Sequence, residues 1–166
     1  MAKKGDWKSL APGRVRFIIK ATRPELDERV QHWAKIDMWT ILVVDDSPSI
    51  LHFLDQTLQA AGHRVFAVSS GNEALKILER ENVDLLLTDI HMPPPNGLEV
   101  MRHAKKMRRE LPSIVISSEP FPSNKFSAAR LLGARLAIQK PFAAEHLVEA
   151  IEAVLDLSYA SRFRHE

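Results

Sequence analysis

Four apolar runs in this 166-residue sequence each end in a side chain that can take part in chemistry. In chain order, the runs and the residues that follow them are 41–44 with Asp45 and Asp46, 84–88 with Asp89, 113–116 with Ser117, and 136–139 with Lys140. Runs without polar alternation predict strands that are buried on both faces, as in a parallel sheet. Because the carboxyl ends of parallel strands lie at one edge of the sheet, we expect these side chains to meet there.

Three carboxylates at one edge of a sheet would oppose each other's ionisation. Such a cluster needs either raised pKa values or a hard divalent cation with oxygen ligands, most simply Mg²⁺. An isolated aspartate is more often a helix N-cap or a solvated turn residue, and Asp45 and Asp46 could cap the helix that follows them. Ser47 suits the N-cap position better because Pro48 comes next, so we expect both acids to be available to the site.

The sequence around these side chains resembles the receiver domain of two-component response regulators, of the stand-alone, chemotaxis-like type. The matching residues are Asp45 and Asp46 for the family's acidic pair, Asp89 for its phosphoacceptor, Ser117 for its Thr/Ser switch, and Lys140-Pro141 for its Lys-Pro pair. The resemblance covers about residues 40–157 and includes the loop pattern D-x-x-M-P-x-x-x-G from Asp89 to Gly97.

The resemblance implies a flavodoxin-like (β/α)5 receiver fold, an α/β architecture with a doubly wound five-stranded parallel sheet. It also implies Mg²⁺-dependent transfer of a phosphoryl group to Asp89 from a histidine kinase or phosphotransfer protein. Transfer and later hydrolysis are self-catalysed in that family, so we expect a phosphoacceptor rather than a turnover enzyme. The implied metal ligands are Asp45, Asp46, Asp89 and the backbone carbonyl of His91, while Lys140 and Ser117 contact the phosphoryl group.

Two further polar residues near the predicted site each have two interpretations. His91 is either an exposed loop histidine or a side chain that flanks the phosphoryl group. Glu119 either faces the same opening as Ser117 or is a solvated acid.

Helix signals separate the predicted strands, and a further short strand is expected at Arg64–Val68. The predicted helices run from Ser47-Pro48 to Gly62, over Ala74–Arg80 after a capping box of Ser70 and Glu73, and over about 98–109, 123–132 and 143–157. This alternation of strands and helices is typical of an α/β fold with a parallel sheet.

Residues 1–38 are predicted to form a basic N-terminal extension, followed by the receiver domain at 39–158 and a tail at 159–166. Residues 1–37 carry nine cations and five anions, a net charge of +4, whereas the whole chain carries +2 and the remainder −2. Since acids are mixed with the cations and no aromatic stacking pattern is present, we expect no nucleic-acid partner. A strand at Arg14–Lys20 and a helix from Pro24 to about Lys35 are predicted inside the extension.

Cysteine usage and hydropathy indicate the cellular compartment in which we expect the protein. The sequence has no cysteine, which excludes a disulfide framework and fits a reducing environment. No apolar stretch is long enough to span a bilayer and residues 1–20 lack a signal-peptide core, so we expect a cytoplasmic protein without membrane insertion. We expect no output domain after residue 157, which favours a separate downstream protein target.

One departure from the family pattern keeps a second function open. The aromatic residue usually found three positions before the lysine is here Ala137, so the rotamer switch of many family members is missing. This favours, mildly, a pseudo-receiver that binds proteins without being phosphorylated, whereas the acids, Ser117 and Lys140 argue against it. A Mg²⁺ phosphatase with an aspartate nucleophile would need a D-x-D pair after the first strand, and the sequence has none there.

Overall fold

A computed structural model of the chain describes residues 16–18, 35–108, 110–120 and 123–162. Contacts divide the chain into two compact units, Met1–Met38 and Trp39–Glu166. In the first unit, β1 (Arg16–Ile18) pairs with β2 (Lys35–Asp37) in antiparallel orientation. The strand predicted at Arg14–Lys20 contains β1. The helix predicted from Pro24 lies outside the described residues, except that Lys35 belongs to β2.

The second unit contains one parallel sheet of five strands, in the order β4-β3-β5-β6-β7. The strands are β3 (Thr40–Val44), β4 (Arg64–Val68), β5 (Leu85–Asp89), β6 (Ser113–Ser117) and β7 (Ala134–Gln139). The chain passes from β3 to the edge strand β4 and then returns to the other side of β3 as β5. Its direction of winding therefore changes between β3 and β5, where ligands bind in doubly wound sheets. The predicted flavodoxin-like five-stranded fold is confirmed.

Five helices connect and follow these strands and cover both faces of the sheet. They are α1 (Pro48–Ala60), α2 (Gly71–Arg80), α3 (Gly97–Met107), α4 (Asn124–Leu131) and α5 (Ala144–Arg162). Alternate strand residues point to opposite faces. Leu85 and Leu87 of β5 pack in one apolar cluster with residues of α1 and α5, while Leu86 packs in the other with residues of α2, α3 and α4.

The depth of burial follows the position of each strand in the sheet. Every residue of β5 and β6 is buried, whereas the edge strands β4 and β7 are only partly buried. The central strands are covered by helices on both faces, so an uninterrupted apolar sequence is the expected composition. Each fully buried leucine contributes roughly 1.5–3 kcal/mol to folding. The strands that end in Asp89 and Ser117 are thus among the most firmly held.

Several helix ends differ from the sequence prediction. Helix α2 begins at Gly71 rather than Ala74, because Ser70 as its N-cap accepts a hydrogen bond from the Glu73 amide at 3.4 Å. The Glu73 carboxylate accepts from the Ser69 amide and not from Ser70, so the predicted capping box is shifted by one residue. Helix α5 continues beyond 157 to Arg162. No helix in the described part of the chain is both long and apolar enough to cross a membrane.

Candidate functional site

Three aspartates meet at the carboxyl edge of β3 and β5. Asp45 follows β3 and is completely buried, Asp46 beside it is exposed, and Asp89 is the last residue of β5 with 5% exposure. One carboxylate oxygen from each lies within 4.8 Å of the other two. Because β3 and β5 are hydrogen-bonded neighbours, the sheet itself fixes this separation. The arrangement can hold a cation at the position where the winding of the sheet reverses.

Lys140 provides the positive charge that opposes this cluster. It follows β7, two strands away from β5, and its side chain extends across the end of β6. The Nζ atom donates to Asp45 Oδ2 at 2.7 Å and to Asp89 Oδ2 at 2.6 Å. Its backbone amide donates to the Ser117 carbonyl at 2.8 Å, which fixes the base of the side chain. Lys140 therefore connects acids that are 95 and 51 residues away in sequence.

Burial and pairing act on the pKa values of this pair in opposite directions. Burial raises the pKa of the Asp45 carboxyl above its usual value, although hydrogen bonds from Lys140 and Ser47 oppose the increase. Burial lowers the pKa of the Lys140 ammonium, but its bonds to Asp45 and Asp89 outweigh that effect and raise it overall. The lysine therefore stays charged, and it is the partner that makes a buried carboxylate tolerable.

The predicted N-cap position of Ser47 is confirmed, but Asp45 also takes part in the turn before helix α1. Ser47 occupies the N-cap position, but its side chain forms no capping hydrogen bond. Instead Asp45 Oδ1 accepts a hydrogen bond from the Ser47 amide at 2.9 Å. Asp45 thus uses one oxygen to hold the start of the loop and the other to bind Lys140, because both groups lie within reach of a short side chain.

The loop after β5 is built tightly around Asp89. Asp89 Oδ1 accepts from the His91 amide at 2.8 Å, which orients the carboxylate. Gly97, the first residue of α3, lies directly against the Asp89 carbonyl, and a Cβ atom there would overlap that oxygen. Asn96 caps α3 by accepting from the Leu98 and Glu99 amides at 3.0 and 3.2 Å. The Glu99 carboxylate accepts from the Asn96 amide in return, which completes a capping box.

Ser117 lies at the same edge, as the last residue of β6, with 1% exposure. Its hydroxyl oxygen accepts a hydrogen bond from the Glu119 amide at 3.0 Å. The hydroxyl therefore marks the start of the loop between β6 and α4, next to the strand that carries Asp89. The sequence placed Ser117 at this edge, and the strand order brings it beside β5.

A polar bridge crosses the opening beside Asp89. Glu119 Oε1 lies 2.8 Å from His91 Nε2 and 2.9 Å from Lys125 Nζ, so it joins the loop after β5 to the first turn of α4. Hydrogen bonds from Lys125 and then His91 lower the pKa of the Glu119 carboxyl. Of the two interpretations of Glu119, the one that faces it toward the opening agrees with this geometry. Sequence reasoning missed Lys125, because no local pattern connects it with His91.

Comparison with known proteins identifies the family. The model of the response regulator receiver domain matches residues 41–152, which is more than half of the chain. The chain therefore belongs to the response regulator receiver domain family, as its resemblance implied.

Individual relatives agree with this assignment. The sensory/regulatory protein RpfC of Xanthomonas campestris pv. campestris is 29% identical over 137 residues, which cover 80% of this chain and 18% of RpfC. The alkaline phosphatase synthesis transcriptional regulatory protein PhoP of Bacillus subtilis is 32% identical over 115 residues, 69% of this chain and 48% of PhoP. The chain thus spans less than half the length of either relative.

A solved structure extends the comparison to the fold. The chemotaxis protein CheY4 of Vibrio cholerae superimposes with a TM-score of 0.67 at 30% sequence identity, over 70% of this chain and 98% of that one. Nearly all of a single receiver domain is therefore reproduced here, within the second compact unit that begins at Trp39.

Proposed function

We propose that this chain is a response regulator that accepts a phosphoryl group on Asp89 and signals through a protein partner. The observation that carries the proposal is the 2.6 Å contact between Asp89 Oδ2 and Lys140 Nζ at the acidic edge of the sheet. An Asp89 oxygen would attack the phosphorus of a phosphohistidine, the P–N bond would break, and the imidazole would leave with a proton. The donor would be a histidine kinase or a phosphotransfer protein.

A divalent cation fits the three acids. Their oxygens lie within 4.8 Å of one another, and a set made only of carboxylate oxygens suits a hard ion such as Mg²⁺. We propose that Asp46 and Asp89 would hold it with the His91 carbonyl, and that Asp45 would take part through a water molecule. When bound, Mg²⁺ supplies neutralisation of negative charge around the transferring group.

The chain's own residues would divide the remaining work. Lys140 places a point charge beside the Asp89 oxygen and can remain in contact with it after the carboxylate becomes an acyl phosphate. Ser117 now accepts from a backbone amide, so its own hydroxyl proton is available to a phosphoryl oxygen. The polar bridge of His91, Glu119 and Lys125 borders the opening and would limit the approach of water.

Surface features support protein partners on two sides of the molecule. Phe53 of α1 is 37% exposed, and its ring centroid lies 6.1 Å from that of Phe142, just after Lys140-Pro141. Phe53 is thus an exposed aromatic residue that rests on the partly buried Phe142 near the site, and it suits contact with a phosphodonor protein. Leu131 and Leu136, on α4 and β7, are also exposed and suit a downstream target.

Ala137 favours one alternative, a pseudo-receiver that binds its partner without phosphorylation. Ala137 is partly buried against the cluster that contains α2, α3 and α4, so no large ring occupies this position. Such a protein would have no need for a charged lysine that bridges two buried acids, which is why we prefer phosphoryl acceptance.

The test is Mg²⁺-dependent labelling of the full chain with acetyl phosphate, followed by mass-spectrometric mapping. Asp89→Asn should abolish labelling and leave the fold intact, because the change is isosteric and removes one like charge. Asp84→Asn is the matched control. Asp84 lies directly before β5, at the opposite edge of the sheet, where its carboxylate accepts a hydrogen bond from the Thr40 amide. Wild-type labelling of the Asp89 variant, or no labelling of the wild-type protein, would contradict the proposal.

A further inference from the structure

A cleft opens at the amino edge of the sheet, opposite to the acidic site. Its volume is about 230 Å³, and it lies between the second half of α3 and the turn that joins α4 to β7. The first residues of two neighbouring strands, Ser113 of β6 and Ala134 of β7, form part of its wall. None of the residues assigned to phosphoryl transfer lines it.

The base of the cleft is apolar. Met101 is almost completely buried, and Leu111 and Leu132 are partly buried around it. Gly133 adopts a φ of +106°, and a Cβ atom at that position would meet no other atom within 4 Å. This glycine therefore leaves open space above the apolar base, into which the side chain of a ligand can enter.

The rim of the cleft is strongly basic. Lys105, Arg130 and Arg135 line it together with one acid, Glu110. Arg130 and Arg135 are exposed, and their guanidinium groups form no hydrogen bond or ion pair with any described residue. Their charges thus have no counterion within the part of the chain that is described, and both guanidinium groups remain available to an anion.

Lys105 is held in place by the backbone. Its Nζ atom donates to the Leu131 carbonyl at 2.9 Å, at the carboxyl end of α4. A cation at this end of a helix is stabilised by the helix dipole. An ammonium group has three donors, so two remain for a ligand. The contact also fixes the distance between α3 and α4 across the cleft.

Positive charge continues along α3 beyond the cleft itself. Arg102, three residues before Lys105 and therefore on the same side of the helix, is exposed, as is Lys106. Arg108 is different, because its guanidinium donates a hydrogen bond to the Glu81 carbonyl at 2.7 Å and is therefore used within the protein. The basic surface therefore includes the cleft and the exposed side of α3 next to it.

We propose that this cleft binds an acidic peptide segment of a protein partner, with a carboxylate between Arg130 and Arg135 and an apolar side chain on the base. Planar guanidinium groups bind carboxylates through paired, charge-assisted hydrogen bonds. A cleft of this size accepts one or two side chains, as in recognition of acidic motifs. No aromatic residue is among the described residues that line it, so they offer no stacking platform for a single-stranded nucleic acid. The inference is independent of phosphorylation.

The experiment is an NMR titration of the full chain with a synthetic peptide of alternating glutamate and leucine. We expect amide shifts at Leu111, Gly133 and Arg135, and weaker binding as salt is added. Arg130→Gln with Arg135→Gln should weaken binding about ten-fold, because two charge-assisted contacts are lost. Lys76→Gln with Arg80→Gln, on α2, changes the net charge equally outside the cleft and should leave affinity unchanged.

Three results would overturn the proposal. One is the absence of shifts at the cleft with millimolar peptide, and another is equal binding of a peptide in which glutamine replaces every glutamate. The third is an equal loss of affinity in both double variants, which would indicate only general charge attraction. Parallel titrations with a DNA duplex and with phosphatidylserine vesicles complete the test. Tighter binding of either one at the same residues would assign the cleft to that class of ligand instead.

Discussion

Lys140 stabilises the site because it is paired with two buried acids at once. Its side chain is 16% exposed, and it compensates the buried Asp45 carboxylate and the nearly buried Asp89 carboxylate together. A buried ion pair adds little net stability, because desolvation offsets the attraction. Removal of one partner is a different matter, since an uncompensated charge is then left inside the protein.

We therefore predict that Lys140→Met lowers the free energy of unfolding by about 3–5 kcal/mol without Mg²⁺ near neutral pH. Adding Asp45→Asn to that variant should recover a large part of the loss, because the buried charge is then removed as well. Urea unfolding of the four members of this cycle measures the coupling. Lys76→Met, at an exposed position on α2, is the control. Equal destabilisation with and without Asp45→Asn would show that Lys140 acts through packing alone.

His63 is a second buried titratable group, away from the site. It is 8% exposed, and neither ring nitrogen has a hydrogen-bond partner among the described residues. Burial lowers the pKa of His63 below its usual 6.5, with a smaller opposing effect from Glu152. The unfolded chain therefore binds a proton at a higher pH than the folded chain does.

Because folding lowers the pKa of His63, we predict that this residue reduces the free energy of unfolding as the pH falls below about 6.5. The folded protein must then either bury a charge or open, while the unfolded chain protonates freely. His63→Leu should lose less stability than the wild type when urea unfolding is compared at about pH 7.5 and about pH 5.5. Asp45, whose pKa is raised, has the opposite effect and is present in both proteins. Parallel pH dependence in the two would contradict the assignment to His63.

At the scale of elements, the start of α3 fixes the position of the phosphoacceptor. Gly97 touches the Asp89 carbonyl, and a Cβ atom would also come within 3.0 Å of Thr88 Oγ1. Any larger residue must push α3 away from β5 or displace Asp89. The glycine therefore serves close packing between helix and strand and not a special backbone angle.

We predict that Gly97→Ala costs about 1–3 kcal/mol, as overpacking does, and also slows labelling of Asp89 by acetyl phosphate. Asn96→Ala is the informative control, because it removes the cap of the same helix for about 1 kcal/mol without pushing on Asp89. Labelling should stay near the wild-type rate in that variant. If both variants slow labelling in proportion to their loss of stability, the close contact at Gly97 has no separate role.

Sequence pattern predicted the central strands well and the edges less well. The apolar runs before Asp89 and Ser117 are continuous because β5 and β6 are covered on both faces. Strand β7 starts earlier than its predicted apolar run, at Ala134, because an edge strand tolerates exposed residues such as Arg135. Asp45, Asp89 and Lys140 meet because the strand order places the ends of β3, β5 and β7 at the same edge of the sheet.

Contacts that depend on the path of a loop were beyond the sequence. Glu119 lies 28 residues from His91, and two prolines precede the helix that contains Lys125, so no spacing rule connects the three. The sequence favoured Ser47 over Asp45 at the start of α1, but it could not show that Asp45 accepts from the Ser47 amide and from Lys140 at once. That double contact depends on the position of Lys140, which is 95 residues away.

At the scale of the whole molecule, two apolar clusters on opposite faces of the sheet hold the receiver unit together. Among the described residues, every member of both clusters lies between Trp39 and Leu155. The receiver unit thus contains its own core, and the acidic edge is built entirely from that unit.

We predict that a chain beginning at Met38 unfolds cooperatively in urea, within about 0.5 kcal/mol of the full chain, and is labelled on Asp89 to the same extent. A chain beginning at Val43 is the control, because it lacks the buried residues Trp39, Ile41 and Leu42 and should fail to fold. A clear loss of stability or labelling in the Met38 chain would show that residues 1–37 stabilise the receiver unit. The two starting points differ by only five residues, so the comparison separates loss of the extension from loss of the first strand of the sheet.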